Sequence, residues 1–381
     1  MTRTQHLFPA LTACSLAAAM LFAGRMIAIH LEHSTLRSTA PELVPIKTQG
    51  LAFQRAATHA RDVLLIYGSS ELLWPKSERA SDFFRAAPAG FQVSPVGKPG
   101  TTSMIILQKL GALGLDLRGK KLAISISPGW FLTGVTRADW YEGNFSLFAA
   151  VQMAFGSDLD FELKRDIASR MLRFPRTLAK SPLLEFALRR LASGRWFDQV
   201  VFYALWPLGK IQNTILDLQD HFAALAYVLH KTKSAPRRHP EILDWSKLIA
   251  KAGERDVAYK DEVFPSLRAN FVADVNSAPE WMDLELLLRT LATIHARPLL
   301  LSMPMDGQSY NRVGISRSDR EVYYQKVRAF AQRFNFAMVE FEEHDDDPGF
   351  LDRQHTHLTA KGWMFYNRAL DDFFHDRTPE R

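Results

Sequence analysis

The sequence predicts an α/β fold: a doubly wound parallel sheet carrying a large helical insertion and preceded by an N-terminal transmembrane helix. Three observations predict it. Compact apolar runs bounded by turn residues alternate with stretches of helical period, as parallel strands covered on both faces require. A long interval rich in Leu, Ala, Phe and Arg at spacings near 3.6 separates the third run from the fourth. An uncharged run opens the chain.

The elements follow in order. Leu7 to Gly24 is 18 residues without charge, and Met26 to Ile29 extend it past Arg25, long enough to cross a bilayer if Arg25 snorkels to the head groups. Residues 1–30 are read as a membrane anchor, with a cleaved signal peptide as the alternative because small residues cluster at Ala17 to Ala19 and at Ala23 and Gly24. Arg3 on one side and Arg25 and Arg37 on the other leave the orientation open. A linker and first helix occupy 31–60. The first part of the sheet domain, 61–135, holds strands at Val63–Tyr67, Phe91–Val96 and Lys121–Ile126 and a helix at Thr102–Leu113.

The helical insertion, 136–285, contains "SPLLEFALRRLASG" and "IQNTILDLQDHFAALAYVLHK", with Pro175, Pro182 and Pro207 as punctuation and a Pro- and charge-rich loop at 234–241. Its most apolar stretch, "QVVFYALWPLG" at 199–209, is too short to span a bilayer and reads as core, or else as a face for the membrane or a membrane partner. The sheet domain resumes over 286–381 with strands at Pro298–Met303 and Phe336–Phe341, a helix at Arg317–Phe334 and a last amphipathic helix for which Thr359 is a plausible N-cap.

Charge and cysteine content narrow the classes. The formal charge is +6, but Lys and Arg are scattered among nearly as many Asp and Glu, with no basic run and no nucleic-acid-binding motif. Nucleic acid is not an expected partner. The single cysteine, Cys14, removes intrachain disulfides and Cys-based metal sites. "EHDDDP" at 343–348 reads as a solvated acidic loop, not a metal site, since consecutive aspartates cannot all turn to one ion. His221 and His230 read as packing or surface residues. No metal or cofactor is expected.

Ligands of doubly wound sheets bind beyond the carboxyl ends of the strands. "GSSE", "VGKPGTTS", "SPGWF" and "PMDGQSYNRVG" all follow strands and converge on that edge. A serine there becomes a nucleophile if an imidazole removes its proton, a carboxylate fixes the imidazole tautomer, and N–H donors receive the oxyanion. Ser70 is the candidate nucleophile, and its own N–H with that of Gly97 are the candidate oxyanion donors. His357 is the candidate base and Asp352 its orienting carboxylate. His355 is an alternative base, because Asp352 stands three residues before it. The plain alternative for Ser69 and Ser70 is a helix cap. Asn144 reads as a turn residue, with an oxyanion role as the alternative.

Two family resemblances bear on these candidates. "GSSE", "VGKPGTT" and the late "HLTAKG" resemble the ordered blocks of the SGNH, or GDSL-type, hydrolases, and imply a flavodoxin-like sheet. More specifically, the anchor, "YGSSEL", "VGKPGTTS", "SISPGWF", "PMDGQSYNRVG", "YYQKVRAFAQRFNF" and "HLTAKGW" resemble the DltD family of D-alanylation systems, over most of the chain. That resemblance implies serine-dependent acyl transfer or ester cleavage outside the cytoplasmic membrane. The implied partners are a membrane-bound O-acyltransferase of the DltB type, a D-alanyl carrier protein, and an anionic envelope polymer of teichoic acid or lipopolysaccharide type as acceptor. The pattern departs from the hydrolases at two places: Gln354, not Asp, stands three before His357, and "SPGWF" lacks the Asn of the third block. "LTAKGW" after His357 favours that histidine as the base.

Overall fold

A computed structural model describes residues 7–86, 89–135, 137–231, 241–253, 270–352 and 356–377. Five strands, β1 (Val63–Tyr67), β2 (Gln92–Val96), β3 (Lys121–Ile126), β4 (Arg297–Ser302) and β5 (Ala337–Glu340), form one parallel sheet in the order β2-β1-β3-β4-β5. Each lies within one or two residues of its predicted bounds. This is the flavodoxin-like doubly wound order, whose direction of winding reverses beside β1. Pro95, which cannot donate to a ladder, sits in β2 at the sheet edge, where one side needs no donor.

Because side chains alternate along a strand, β1 feeds two cores. Val63, Leu65 and Tyr67 enter one with Ile124 and the Ser103–Leu113 helix; Leu64 and Ile66 enter the other with Leu299, Leu301, Trp363 and Tyr366. All five residues of β1 are buried, which explains why it reads as an unbroken apolar run. Between β3 and β4 the described chain contains helices and connecting turns and no strand, and its helices of Phe161–Met171, Pro182–Ser193 and Glu280–Thr293 pack into the first of these cores.

The N-terminal helix runs from Leu7 to Thr39, well past residue 30. It is long and apolar enough to cross a membrane. Its first half is bare, whereas Ala28, Glu32, Leu36 and Thr39, one helical face, are buried. Arg25 pairs with Asp217 at 3.0 Å, and Asp217 also receives Arg55 at 2.7 Å. Arg25 is therefore held by the folded part of the protein and does not need the head groups as its partner.

Two expectations are corrected here. The 199–209 stretch is not core: it lies in the 36-residue helix Trp196–Lys231, and Val200, Tyr203, Trp206 and Leu208 are exposed while Phe202 alone among the large apolar residues of the stretch is buried. The 343–348 loop is not uniformly solvated. Asp345 is buried, accepts from Met305 N–H at 2.9 Å and from Arg320 Nε at 3.1 Å, and also binds the Tyr324 hydroxyl at 2.5 Å. Burial pushes its carboxyl up to about 6. A run of three aspartates tells nothing about which one turns inward.

Candidate functional site

β1 ends at Tyr67 and the chain turns at Gly68 and Ser69 into a single 3-10 turn, Ser70–Leu73. What holds the turn is Glu71. Its side chain is buried and its Oε1 accepts the Ser69 N–H at 2.8 Å. Burial raises its carboxyl above the ordinary range, and the Ser69 N–H and the charge of the nearby His357 pull in the opposite direction. Sequence reasoning missed this residue: a glutamate after serine has the look of an exposed helix position.

The turn leaves room for nothing at two glycines. A Cβ on Gly68 would stand 2.3 Å from Glu71 Oε1, and one on Gly97 would stand 1.9 Å from the Gly68 carbonyl oxygen. Gly97 is thus the close approach of the β2 loop to the Ser69–Ser70 turn. Beyond it, Lys98 N–H donates to Thr101 Oγ1 at 3.1 Å, and Thr101 Oγ1 donates to Asn144 Oδ1 at 3.1 Å. Asn144 Nδ2 donates to the Pro99 and Trp140 carbonyls at 3.1 and 2.9 Å. Asn144 is therefore occupied as a clamp on the 97–101 loop from the helical interval, a role that neither sequence reading named.

The late loop reaches the same edge. Leu351 and Leu358 form an antiparallel bridge, Asp352 N–H donates to the His357 carbonyl at 2.7 Å, and Thr359 N–H donates to the Phe350 carbonyl at 3.0 Å. Thr359 caps the Ala360–Phe374 helix by accepting from Gly362 N–H at 3.2 Å, as its position predicted. This clamp sets Asp352 opposite His357 despite the five-residue separation: Asp352 Oδ2 lies 3.2 Å from His357 Nδ1, and Oδ1 accepts the His357 N–H at 3.3 Å. A displaced carboxylate can meet the histidine because the bridge sets Leu351 and Leu358, the neighbours of Asp352 and His357, side by side. His355 lies outside the described residues.

His357 is 9% exposed, and its Nε2 is buried with no hydrogen-bond partner among the described residues. The Trp74 ring meets the imidazole edge-on, centroids 5.9 Å apart, and the Trp74 carbonyl accepts from Trp363 Nε1 at 2.8 Å. Trp74 directly follows the Ser70–Leu73 turn, so the serine turn and the histidine loop share one wall. Ser70 Oγ is not bonded to Nε2 in this structure. The structure thus brings Asp352 and His357 into contact, sets Gly97 against the serine turn, and leaves the Ser70–His357 hydrogen bond unmade.

Chemically the arrangement offers a half-buried hydroxyl at a strand end, an imidazole with one nitrogen on a carboxylate and the other uncommitted, and a backbone turn at the topological switch point. The family model described as DltD protein matches residues 40–375. The chain belongs to the DltD family. Among its relatives, Protein DltD of Bacillus subtilis (strain 168) is 28% identical over 359 residues, 89% of each chain. Protein DltD of Staphylococcus aureus (strain NCTC 8325 / PS 47) is 26% identical over 315 residues, 80% of this chain and 79% of that one. Protein DltD of Lacticaseibacillus rhamnosus is 21% identical over 363 residues, 89% and 84% of the two chains. Membership in the DltD family ties the chain to the D-alanylation of envelope polymers.

Proposed function

We propose that this DltD-family protein is a serine-dependent acyl-transfer or ester-cleaving enzyme of SGNH type. Ser70 Oγ attacks an acyl carbonyl while its proton passes to His357 Nε2. The tetrahedral oxyanion is received by the Ser70 and Gly97 N–H groups, and the leaving group departs with the proton from Nε2. An acceptor hydroxyl then yields its proton to Nε2 and attacks the acyl ester; the acyl–Oγ bond breaks and Nε2 returns the proton to Ser70 Oγ. Water as the acceptor would make the same site a deacylase. Asp352 holds the Nδ1–H tautomer and offsets the charge of the imidazolium.

The observation that carries this reading is the imidazole of His357, with Nδ1 on Asp352 and a buried, uncommitted Nε2 beside the wall that Trp74 shares with Ser70. Family membership supports placing the site outside the cytoplasmic membrane, and the apolar helix supports its being anchored there. They also support the acyl group as D-alanyl, the donor as a DltB-type membrane-bound O-acyltransferase or an acyl carrier, and the acceptor as an anionic envelope polymer. The unmade Ser70–His357 bond favours a second reading, a site that grips acyl carrier or acyltransferase without a covalent step.

A fluorophosphonate probe separates the two. Wild type is expected to label, and Ser70→Ala and His357→Ala to lose labelling while His355→Ala keeps it. Equal labelling of wild type and Ser70→Ala removes Ser70 as nucleophile, and loss in His355→Ala alone moves the base to that residue.

A further inference from the structure

The helix Trp196–Lys231 has two unlike halves. From Asp217 onward its inner face is packed, with Leu229 the one large apolar residue exposed: Asp217 holds Arg25 and Arg55, buried His221 Nδ1 lies 2.8 Å from Glu32 Oε1, and Ala224 and Val228 cluster with Phe53. Before Asp217 only one face is packed. Phe202 stacks on Phe155 at 5.6 Å, and Asp198 pairs with Arg190 of the preceding helix at 2.7 Å.

The opposite face is bare. Trp196, Val200, Tyr203, Leu208, Ile211 and Ile215 are 51–76% exposed and recur at helical spacing. At about 1.5 Å per residue, this stripe is roughly 29 Å long. Between 196 and 215 the only charges are Asp198, which is already paired, and Lys210, whose ammonium lies 4.9 Å from the Trp206 ring centre. Arg189, Arg190 and Arg195 stand just before the stripe; Arg190 is taken by Asp198 and Arg189 by Glu185, which leaves Arg195 as the cation on that flank. Soluble surfaces seldom expose an apolar face so long.

The same helix grips the apolar N-terminal segment. The Gly24 backbone lies against Phe222, where an added Cβ would stand 2.9 Å from the ring, and Arg25 is bonded to Asp217. Ile215 is two residues from Asp217, about 3 Å along the axis. The membrane-competent stretch of the first helix thus ends where the bare stripe begins, and a bilayer holding the one is within reach of the other.

We infer that the Trp196–Ile215 face lies in the head-group boundary of the bilayer that holds the N-terminal helix, with its apolar stripe toward acyl chains and its basic flank toward anionic head groups. An apolar face, Trp and Tyr at the polar boundary, a snorkelling lysine and a basic end are what such a surface selects. One spanning helix leaves a domain free to swivel. A second, lateral contact fixes the angle at which the Ser70 edge faces the membrane.

The test uses the full chain in nanodiscs. Cys14→Ser removes the native thiol, and single cysteines in place of Tyr203, Ile211 or, as control, Lys247 carry an environment-sensitive fluorophore. Lys247 is exposed on a helix packed over the other face of the sheet. In discs of phosphatidylcholine and phosphatidylglycerol with brominated acyl chains, the labels at 203 and 211 are expected to shift to the blue and to be quenched at least about threefold more than the label at 247. Labels that stay in water in these discs overturn the inference. So does protection that appears only when a membrane-bound O-acyltransferase is reconstituted alongside, which makes the stripe a protein interface.

Discussion

Around the candidate site, single residues divide into those that act on the imidazole and those that hold the turn. Asp352 is of the first kind: with its carboxylate 3.2 Å from Nδ1, Asp352→Asn is expected to leave the fold intact and slow fluorophosphonate labelling by roughly 10²- to 10⁴-fold, read as the rate of probe incorporation. Glu71 is of the second kind. Glu71→Ala strands the buried Ser69 N–H and is expected to cost roughly 1 to 3 kcal/mol in denaturant unfolding, whereas Glu71→Gln keeps an acceptor in place and loses much less. Ser70, Gly97 and His357 could be picked out in the sequence as candidates because serine, glycine and histidine come in the order that the proposed chemistry uses. Glu71 could not, since nothing in "GSSE" says that its carboxylate turns back under the chain.

Elements carry the next set of constraints. The β1 and β2 loops meet backbone to backbone at Gly68 and Gly97, and no side chain can relax the contact. Gly97→Ala is expected to push the loops apart, costing about 1 to 3 kcal/mol by thermal unfolding and abolishing labelling even below the melting temperature. The inner strands β1, β3 and β4 were readable to within a residue because a buried parallel strand has to be largely apolar on both faces. The 199–209 segment was misread because apolar residues at helical spacing look alike whether the face that they form meets protein or lipid. The sequence registers dislike of water, not what replaces it. The Asp352–His357 contact escaped the spacing rule because it depends on the Leu351–Leu358 bridge, a tertiary pairing that local spacing does not encode.

At the scale of the whole molecule, stability depends on a buried carboxyl by which the insertion reaches the sheet domain, next to an ion pair within the insertion. Glu280 caps the Ser103–Leu113 helix through the Ser103 N–H at 2.7 Å, beside the Arg170–Asp283 pair. Burial, with Asp283 adding to it, raises the Glu280 carboxyl to about 8. The folded state therefore keeps this proton at a pH where the unfolded chain, with an ordinary carboxyl near 4.5, has released it, and stability falls as pH rises between those values. Glu280→Gln keeps the acceptor and lacks the proton. Its advantage over wild type is expected to grow from about pH 5 to pH 8 in denaturant unfolding; an advantage that is flat across that window contradicts the assignment. The overall α/β architecture was legible at this scale, whereas the buried polar contacts around Glu280 were not, because hydrogen bonds and ion pairs over more than a hundred residues leave no periodic trace.

The sheet order places β3, which ends at Ile126, against β4, which starts at Arg297, so the two halves of the site are made at different times. Ser70 and His357 are 287 positions apart, 357 less 70. At roughly 5 to 20 residues per second, the serine turn leaves the ribosome about 15 to 60 s before the histidine. On the proposed mechanism, a chain cut short anywhere before His357 carries the hydroxyl without the base. Prematurely ended copies, even if they reach the membrane, would sit there chemically silent.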